Sequence, residues 1–347
     1  MAVFPLRDHI WVALVSQAVN TPGGVRTTPR LQRGCPHSQH RCGRTRSPPM
    51  SNCAKNAPSP TVPVRDQVMA CLFQHRALTT DQLHRMLRPT PHPEYVRAIL
   101  RTLRAAGLAE SVRRRYEPSV WALSAEGRRD VVTWPQFRGR RPYRSALAGT
   151  RKVHTLTVTR TALAFLDDAQ ARGDEFRPLD WTVEVAHPLR DGAVDGERML
   201  IADALMRYTR TAPKRALLRA FVEVDRATES SERLASKLIS YARFHSAVPA
   251  TPGRRAAVDQ AGLASWQRSY TVFPRLLFVL TGAGERALAQ RVADLRAMLQ
   301  EHPLTERFAN EVPTGAAVLE ELEEHGASAA VWAPLDGRTG RCNWMDL

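Results

Sequence analysis

The chain is 347 residues long, 43% hydrophobic and 24% charged, with a formal net charge of +16. This length suits two domains and this composition a globular protein, which excludes a wholly disordered chain. No apolar run approaches the roughly 18–20 residues of a membrane-spanning helix. The cysteines (Cys35, Cys42, Cys53, Cys71 and Cys342) are odd in number and crowded toward one end, which argues against a disulfide framework and for a cytoplasmic protein.

The charge is unevenly spread. Residues 1–60 carry +7, residues 61–150 carry +9, and residues 151–347 are neutral, with 26 bases against 26 acids. A basic front half on a neutral back half points to a polyanionic partner. Only four of the fifty bases are lysine: Lys55, Lys152, Lys214 and Lys237.

Residues 1–60, rich in Pro, Ser, Arg and Gly without an apolar period, read as a disordered tail. Met50 is a second candidate for the start of translation. The stretch from Ile10 to Val19 makes a poor signal peptide, since Asp8 precedes it and Ser16 and Gln17 interrupt it. The Cys35–Cys42 cluster has zinc-ligand residue types without a finger spacing.

From residue 63 the pattern becomes helical. Val64, Val68 and Cys71/Leu72 predict a helix over 64–73, and Thr79 with Gln82 predicts a capping box opening a second helix. Three prolines then break the chain before a third helix over 94–106, stopped by Gly107. Two short strands follow at 108–115 and 119–123, and Ser124 caps a short helix. In the third helix Val96, Ile99, Leu100 and Leu103 make an apolar stripe, and Arg97, Arg101 and Arg104 share another face. Helix, helix, helix and hairpin over residues 62–133 resembles the winged-helix DNA-binding family. The resemblance implies that Arg97, Arg101 and Arg104 enter the groove of duplex DNA while Arg113, Arg114 and Arg115 reach the flanking backbone. The bland alternative is a solvated basic surface. Residues 134–149, mixing arginines with Trp134, Phe137 and Tyr143, read as a basic linker.

Residues 150–335 alternate between helix and strand. Helices are predicted at 152–171, 229–245 and 285–302, with strands at 182–187, 200–208, 217–225, 275–281 and 329–334, leaving 336–347 as a tail. This predicts an α/β (α+β) mixed sheet flanked by helices. Asp203 falls within a strand, alternation placing it with Ile201 and Leu205. In the next strand Ala220, Val222 and Val224 share one face, while Phe221, Glu223 and Asp225 share the other. Two acids beside an aromatic ring require a positive partner. Lys237 answers, at the border of the inward stripe Leu234, Leu238, Tyr241 and His245 of the following helix.

These residues resemble the PD-(D/E)xK (restriction-endonuclease-like) nuclease superfamily. The resemblance implies Mg²⁺ or Mn²⁺ held by Asp203 and Glu223, with Asp225 assisting and Lys237 orienting the attacking water. Ala202 stands where the motif has proline, and Asp225 where it has lysine, so Lys237 is a migrated replacement. Over residues 64–335 the chain is similar to the replication-relaxation family of actinobacterial and other plasmids and integrated elements. Winged helix, His154, Asp203-Ala204, Phe221-Val-Glu-Val-Asp225-Arg-Ala-Thr228-Glu229 and Lys237-x3-Tyr241 carry that similarity. It implies a DNA-binding protein of plasmid replication or relaxation and supplies no mechanism; metal-dependent phosphodiester cleavage is what the nuclease resemblance implies. The alternative is a non-enzymatic initiator or regulator, a homodimer through a retired nuclease fold whose acids and Lys237 form a structural ion pair. Glu184 is a candidate further ligand, whereas His154, His245 and Tyr241 read as core residues. A tyrosine relaxase with a histidine triad is excluded by the lack of a His-x-His motif in residues 151–347.

Overall fold

The computed structural model describes residues 62–87, 90–113, 115–141, 143–147, 149–189, 198–228, 230–247 and 264–347. The tail 1–60, with its cysteine cluster and Met50, and Arg114 lie outside the described residues.

The first helix, α1 (Val64–His75), leads into a two-residue strand, β1 (Leu78–Thr79), and α2 (Thr80–Met86). Thr79 caps α2 as expected, its side chain accepting from the Gln82 N–H at 3.1 Å while Gln82 Oε1 accepts from the Thr79 N–H at 3.0 Å. A cap of this kind stabilises a helix by about 1 kcal/mol. The third helix, α3 (Pro93–Ala105), opens on a proline, where no N–H is needed, and buries the stripe Val96, Ile99, Leu100 and Leu103. Strands β2 (Ala109–Val112) and β3 (Val120–Leu123) pair antiparallel, and β1 joins the far side of β3. Ser124 caps α4 (Ala125–Val131), and only a glycine fits at position 127, where a Cβ would stand 2.1 Å from the Leu108 carbonyl oxygen.

Part of the segment 134–149, expected as a linker, packs on α1 through Phe137 and Tyr143. Phe137 is 1% exposed against Phe73, and the Tyr143 hydroxyl donates to the Leu72 carbonyl at 3.0 Å. Within this segment Arg140 donates to Gln74 Oε1 at 2.6 Å.

A long helix, α5 (Gly149–Arg172), precedes β4 (Trp181–Leu189), β5 (Arg198–Arg210) and β6 (Ala216–Asp225). Helix α6 (Ser231–Ser246), strand β7 (Arg275–Leu280) and helix α7 (Glu285–Glu301) follow. Three elements then appear that the sequence pattern did not announce: α8 (Pro303–Glu311), β8 (Thr314–Val318) and α9 (Leu319–His325). The predicted last strand shrinks to β9 (Ala333–Pro334). These strands form one mixed sheet, ordered β4-β5-β6-β7-β8-β9, antiparallel except where β6, β7 and β8 run parallel. The fold is thus mixed α/β, as the alternation predicts.

One core joins α5, α9 and the N-terminal helices to a sheet face that includes Ala220, Val222 and Val224. The other lies under α6, α7 and α8 and includes Phe221, Leu276 and Phe278. Trp344 and Met345, in the expected tail, are buried in the first core, and Gly315 leaves room for Leu347, which a Cβ would meet at 2.6 Å.

The β4–β5 hairpin departs from the simple alternation expected of it. Trp181 and Val183 face the first core, but Val185 and Leu189, of the same parity, face the second. Across from them Ala204, Met206 and Tyr208 face the first core and Leu200 and Ala202 the second. Both strands therefore exchange faces at one level, between Glu184 and Asp203. Glu184 has φ +48°, a left-handed conformation that inverts the pleat. Ile201, expected to share a face with Asp203 and Leu205, is instead 51% exposed, whereas Leu205 is buried.

Candidate functional site

The β5–β6 ladder reaches Ala204↔Val222 and goes no further toward Asp203. In its place the Asp203 carboxylate accepts the Val224 N–H at 2.8 Å, so a side chain replaces the next rung. The described outer part of the hairpin, residues 185–189 and 198–202, has no ladder pairing with β6. A cleft of about 490 Å³ opens between it, α5 and α6. Asp203, His154, Lys237 and Glu184 line it, together with Arg76, Arg151 and Arg233 and the half-exposed apolar side chains Met199 and Ile201.

Three of the four predicted catalytic residues converge here. The Lys237 ammonium contacts Glu223 Oε2 and lies 3.7 Å from Asp203 Oδ1. Two carboxylates from neighbouring strands therefore meet one cation. Glu223 is 2% exposed, and its other oxygen accepts the Tyr241 hydroxyl. Burial pushes the Glu223 carboxyl up to about 8, with the Asp203 charge adding to the rise against the pull of Lys237. Burial would also raise Asp203, but the hydrogen bond from His154, the Lys237 charge and the Val224 N–H hold it below the ordinary carboxylate range. The two acids are thus driven apart in acidity, which places the standing negative charge on Asp203. The fourth predicted residue, Asp225, is absent from the cleft: Arg291 of α7 donates to its Oδ2 at 2.7 Å, and its Oδ1 is buried without a hydrogen-bond partner.

Two residues read as core from sequence take part. His154 Nε2 stands 3.2 Å from Asp203 Oδ1, and the Tyr241 hydroxyl bonds Glu223, burial first and then the Glu223 charge raising its pKa far above the tyrosine range. The Tyr241 role had a signal, since it follows Lys237 by four residues and so shares its face. His154 had no local signal, because nothing local relates α5 to β5; only the family resemblance singled it out. Glu184, a candidate ligand from sequence, forms an ion pair with Arg76. His245 stacks on Trp266 at 5.9 Å, as a packing residue does.

A divalent cation can be tested against this donor set. Among the described residues no group of three or more His, Cys, Asp or Glu side chains is placed to hold a metal. Asp203 and Glu223 already converge on one positive charge, however, and Mg²⁺ commonly takes one or two carboxylates, with water and substrate phosphate completing its shell. The residues fit a cation that shares its ligands with a phosphodiester, not a closed structural metal site.

On the N-terminal unit Arg97, Arg101 and Arg104 are all exposed along α3. Arg97 pairs with Glu94, and Arg104 Nη1 is 3.4 Å from Ser111 Oγ of β2. Arg113 is exposed at the end of β2, and Arg115 lies 5.1 Å over the centroid of the Tyr116 ring, which is 90% exposed. Among the described residues no helix is long and apolar enough to cross a membrane.

Comparison with known proteins gives one match. The family model described as replication-relaxation covers residues 69–259, a span that takes in α2, α3, the small sheet, α5, the β4–β6 strands and all of α6. No curated protein and no solved structure matches the chain.

Proposed function

The chain belongs to the replication-relaxation family, and from that premise we propose that it is a DNA-binding protein of a plasmid or mobile element that cuts a phosphodiester within its cleft. The observation that carries this reading is the meeting of Asp203 and the buried Glu223 at Lys237, where Asp203 and Lys237 line a cleft together with Arg76, Arg151 and Arg233. The N-terminal unit, read as a winged helix, docks duplex DNA through Arg97, Arg101 and Arg104, with Arg113, Arg114 and Arg115 on the flanking backbone. The cleft arginines grip the backbone and the half-exposed Met199 and Ile201 offer an apolar wall to the sugar. Asp203 and Glu223 hold Mg²⁺ or Mn²⁺, which when bound supplies charge neutralisation and an acidified water. Lys237 balances the Asp203 charge in the free protein and turns to the phosphate when DNA enters. His154 fixes the Asp203 carboxylate from the α5 side, and Tyr241 fixes that of Glu223.

A second reading rests on a specific observation: both Glu223 oxygens are already engaged, by Tyr241 and Lys237, in a nearly solvent-free place. A retired nuclease fold serving a non-enzymatic initiator or regulator has this appearance. Incubating supercoiled plasmid with the protein and Mg²⁺ or Mn²⁺, beside Asp203→Ala, separates the two. Open circles or linear DNA from the wild type alone support cleavage. Retarded but intact DNA under either metal moves the assignment to the binding protein.

A further inference from the structure

The ion pair between Arg76 and Glu184 has three features that a merely structural bridge does not need. It joins the N-terminal unit to the sheet at the cleft, because both residues line that cleft. Both partners sit at positive φ, Arg76 at +66° and Glu184 at +48°, a region that strains a side chain other than glycine. The surroundings are also over-supplied with positive charge. Arg151, Arg233 and Lys237 line the same cleft, and the Arg76 guanidinium is only 16% exposed, stacked 4.8 Å from the centre of the Tyr143 ring. Close by, Arg140 is held by neutral groups alone, Gln74 Oε1 at 2.6 Å and Thr182 Oγ1 at 3.5 Å, and Arg76 and Arg207 add to burial in lowering its pKa to about 10. A carboxylate reaching into such a place does the work of an anion from outside.

We propose that Arg76 is a phosphate-binding residue of the cleft and that Glu184 occupies its guanidinium as an internal phosphate mimic, which a backbone phosphate of entering DNA displaces. The proposal rests on the reading that DNA enters the cleft. It gives the pleat inversion at Glu184 a purpose: the left-handed residue turns its carboxylate to Arg76 at the level of Asp203, where a strand of ordinary pleat would not. Displacing it frees the guanidinium fork for a phosphate. Glu184 therefore taxes weak, non-specific binding, and a strand that is held well by the rest of the protein overcomes it.

The test is binding of a short labelled duplex by the full chain, without metal, over a range of salt. Glu184→Gln should bind about five-fold tighter than wild type at an unchanged salt slope, because the same phosphate contacts form in both complexes. Glu184→Gly, which accepts the left-handed backbone without strain, should do the same and guards against a folding artefact in the first variant. Arg76→Ala should weaken binding about ten-fold, and Glu184→Gln added to it should give no gain. No gain in either Glu184 variant, or an equal gain with and without Arg76, overturns the proposal, the latter because it reveals only a general loss of negative charge. Arg101→Ala with Arg104→Ala, measured alongside, reports on DNA docking itself. If that pair weakens binding while the Glu184 variants change nothing, the phosphate mimic falls and the proposed function stands.

Discussion

The Asp203 carboxylate accepts the Val224 N–H at 2.8 Å, and at that point the β5–β6 ladder gives way to the cleft. One residue therefore has two duties, since it replaces a missing backbone rung and presents a negative charge to the cleft. The duties separate by substitution. Asp203→Asn keeps an acceptor for Val224 but loses the charge, whereas Asp203→Ala leaves a buried N–H without a partner, a loss of about 1–3 kcal/mol. Denaturant melts should place the alanine variant clearly below the asparagine variant. Both should fail to nick plasmid. An asparagine variant that nicks as wild type does would remove Asp203 from the chemistry.

Glu223 makes stability depend on pH. Its folded carboxyl, raised by burial to about 8 from the ordinary 4.5, binds a proton more tightly than the same group in the unfolded chain. The stability so conferred is complete below the ordinary carboxyl range and is lost as pH climbs through about 8. The range to examine is pH 7 to 9. Below it His75 and His187, buried and with pKa values near 4, contribute the opposite trend, their neutral folded forms losing stability as pH falls below 6.5. The wild-type melting temperature should fall from pH 7 to 9, and Glu223→Gln should flatten that fall. A wild type with no slope in this interval would mean that Lys237 keeps Glu223 ionised throughout.

Asp225 offers a contrast, because it stands two residues from Glu223 on the same strand face yet belongs to another contact. Its partner Arg291 is itself little exposed, at 14% of its side chain. Removing one member of such a pair leaves a buried charge and costs about 3–5 kcal/mol. Arg291→Ala should therefore lower the denaturation midpoint sharply while leaving nicking intact at temperatures where the variant is folded. If nicking is lost with the midpoint unchanged, Asp225 acts in the reaction after all.

What the sequence made legible follows from the range of the interactions involved. The Thr79 capping box, the α3 stripe and the two faces of β6 are set by residues within a turn or a few strand positions of each other, and each was readable. Lys237 was readable too, as a cation flanking an inward stripe. Strand β8, Thr314–Val318, was not, because its Gly315 is held small by a remote neighbour, Leu347, that local pattern does not contain. The exchange of faces at Glu184 and Asp203 defeats alternation for the same reason: one left-handed residue resets the parity of every position beyond it. His154, Arg76 and Arg291 reach the acids from elements that are remote in sequence, and only the folded sheet brings them there.

The exposed arginines of α3 lead to the remaining expectation. Arg101 and Arg104 make only weak contacts at 3.4 Å, with the Arg97 carbonyl and Ser111 Oγ, so little structure depends on them. Replacing both by alanine should leave the melting temperature within about 1 °C of wild type, as surface changes do. If they bind DNA phosphates, affinity should drop and the slope of log affinity against log salt should lessen by about two contacts. A uniform loss across unrelated duplexes would identify backbone contacts, while a loss confined to one sequence would place a guanidinium on a base edge. Unchanged affinity and slope would mean that α3 is a solvated surface, and the winged-helix reading of the N-terminal unit would fail with it.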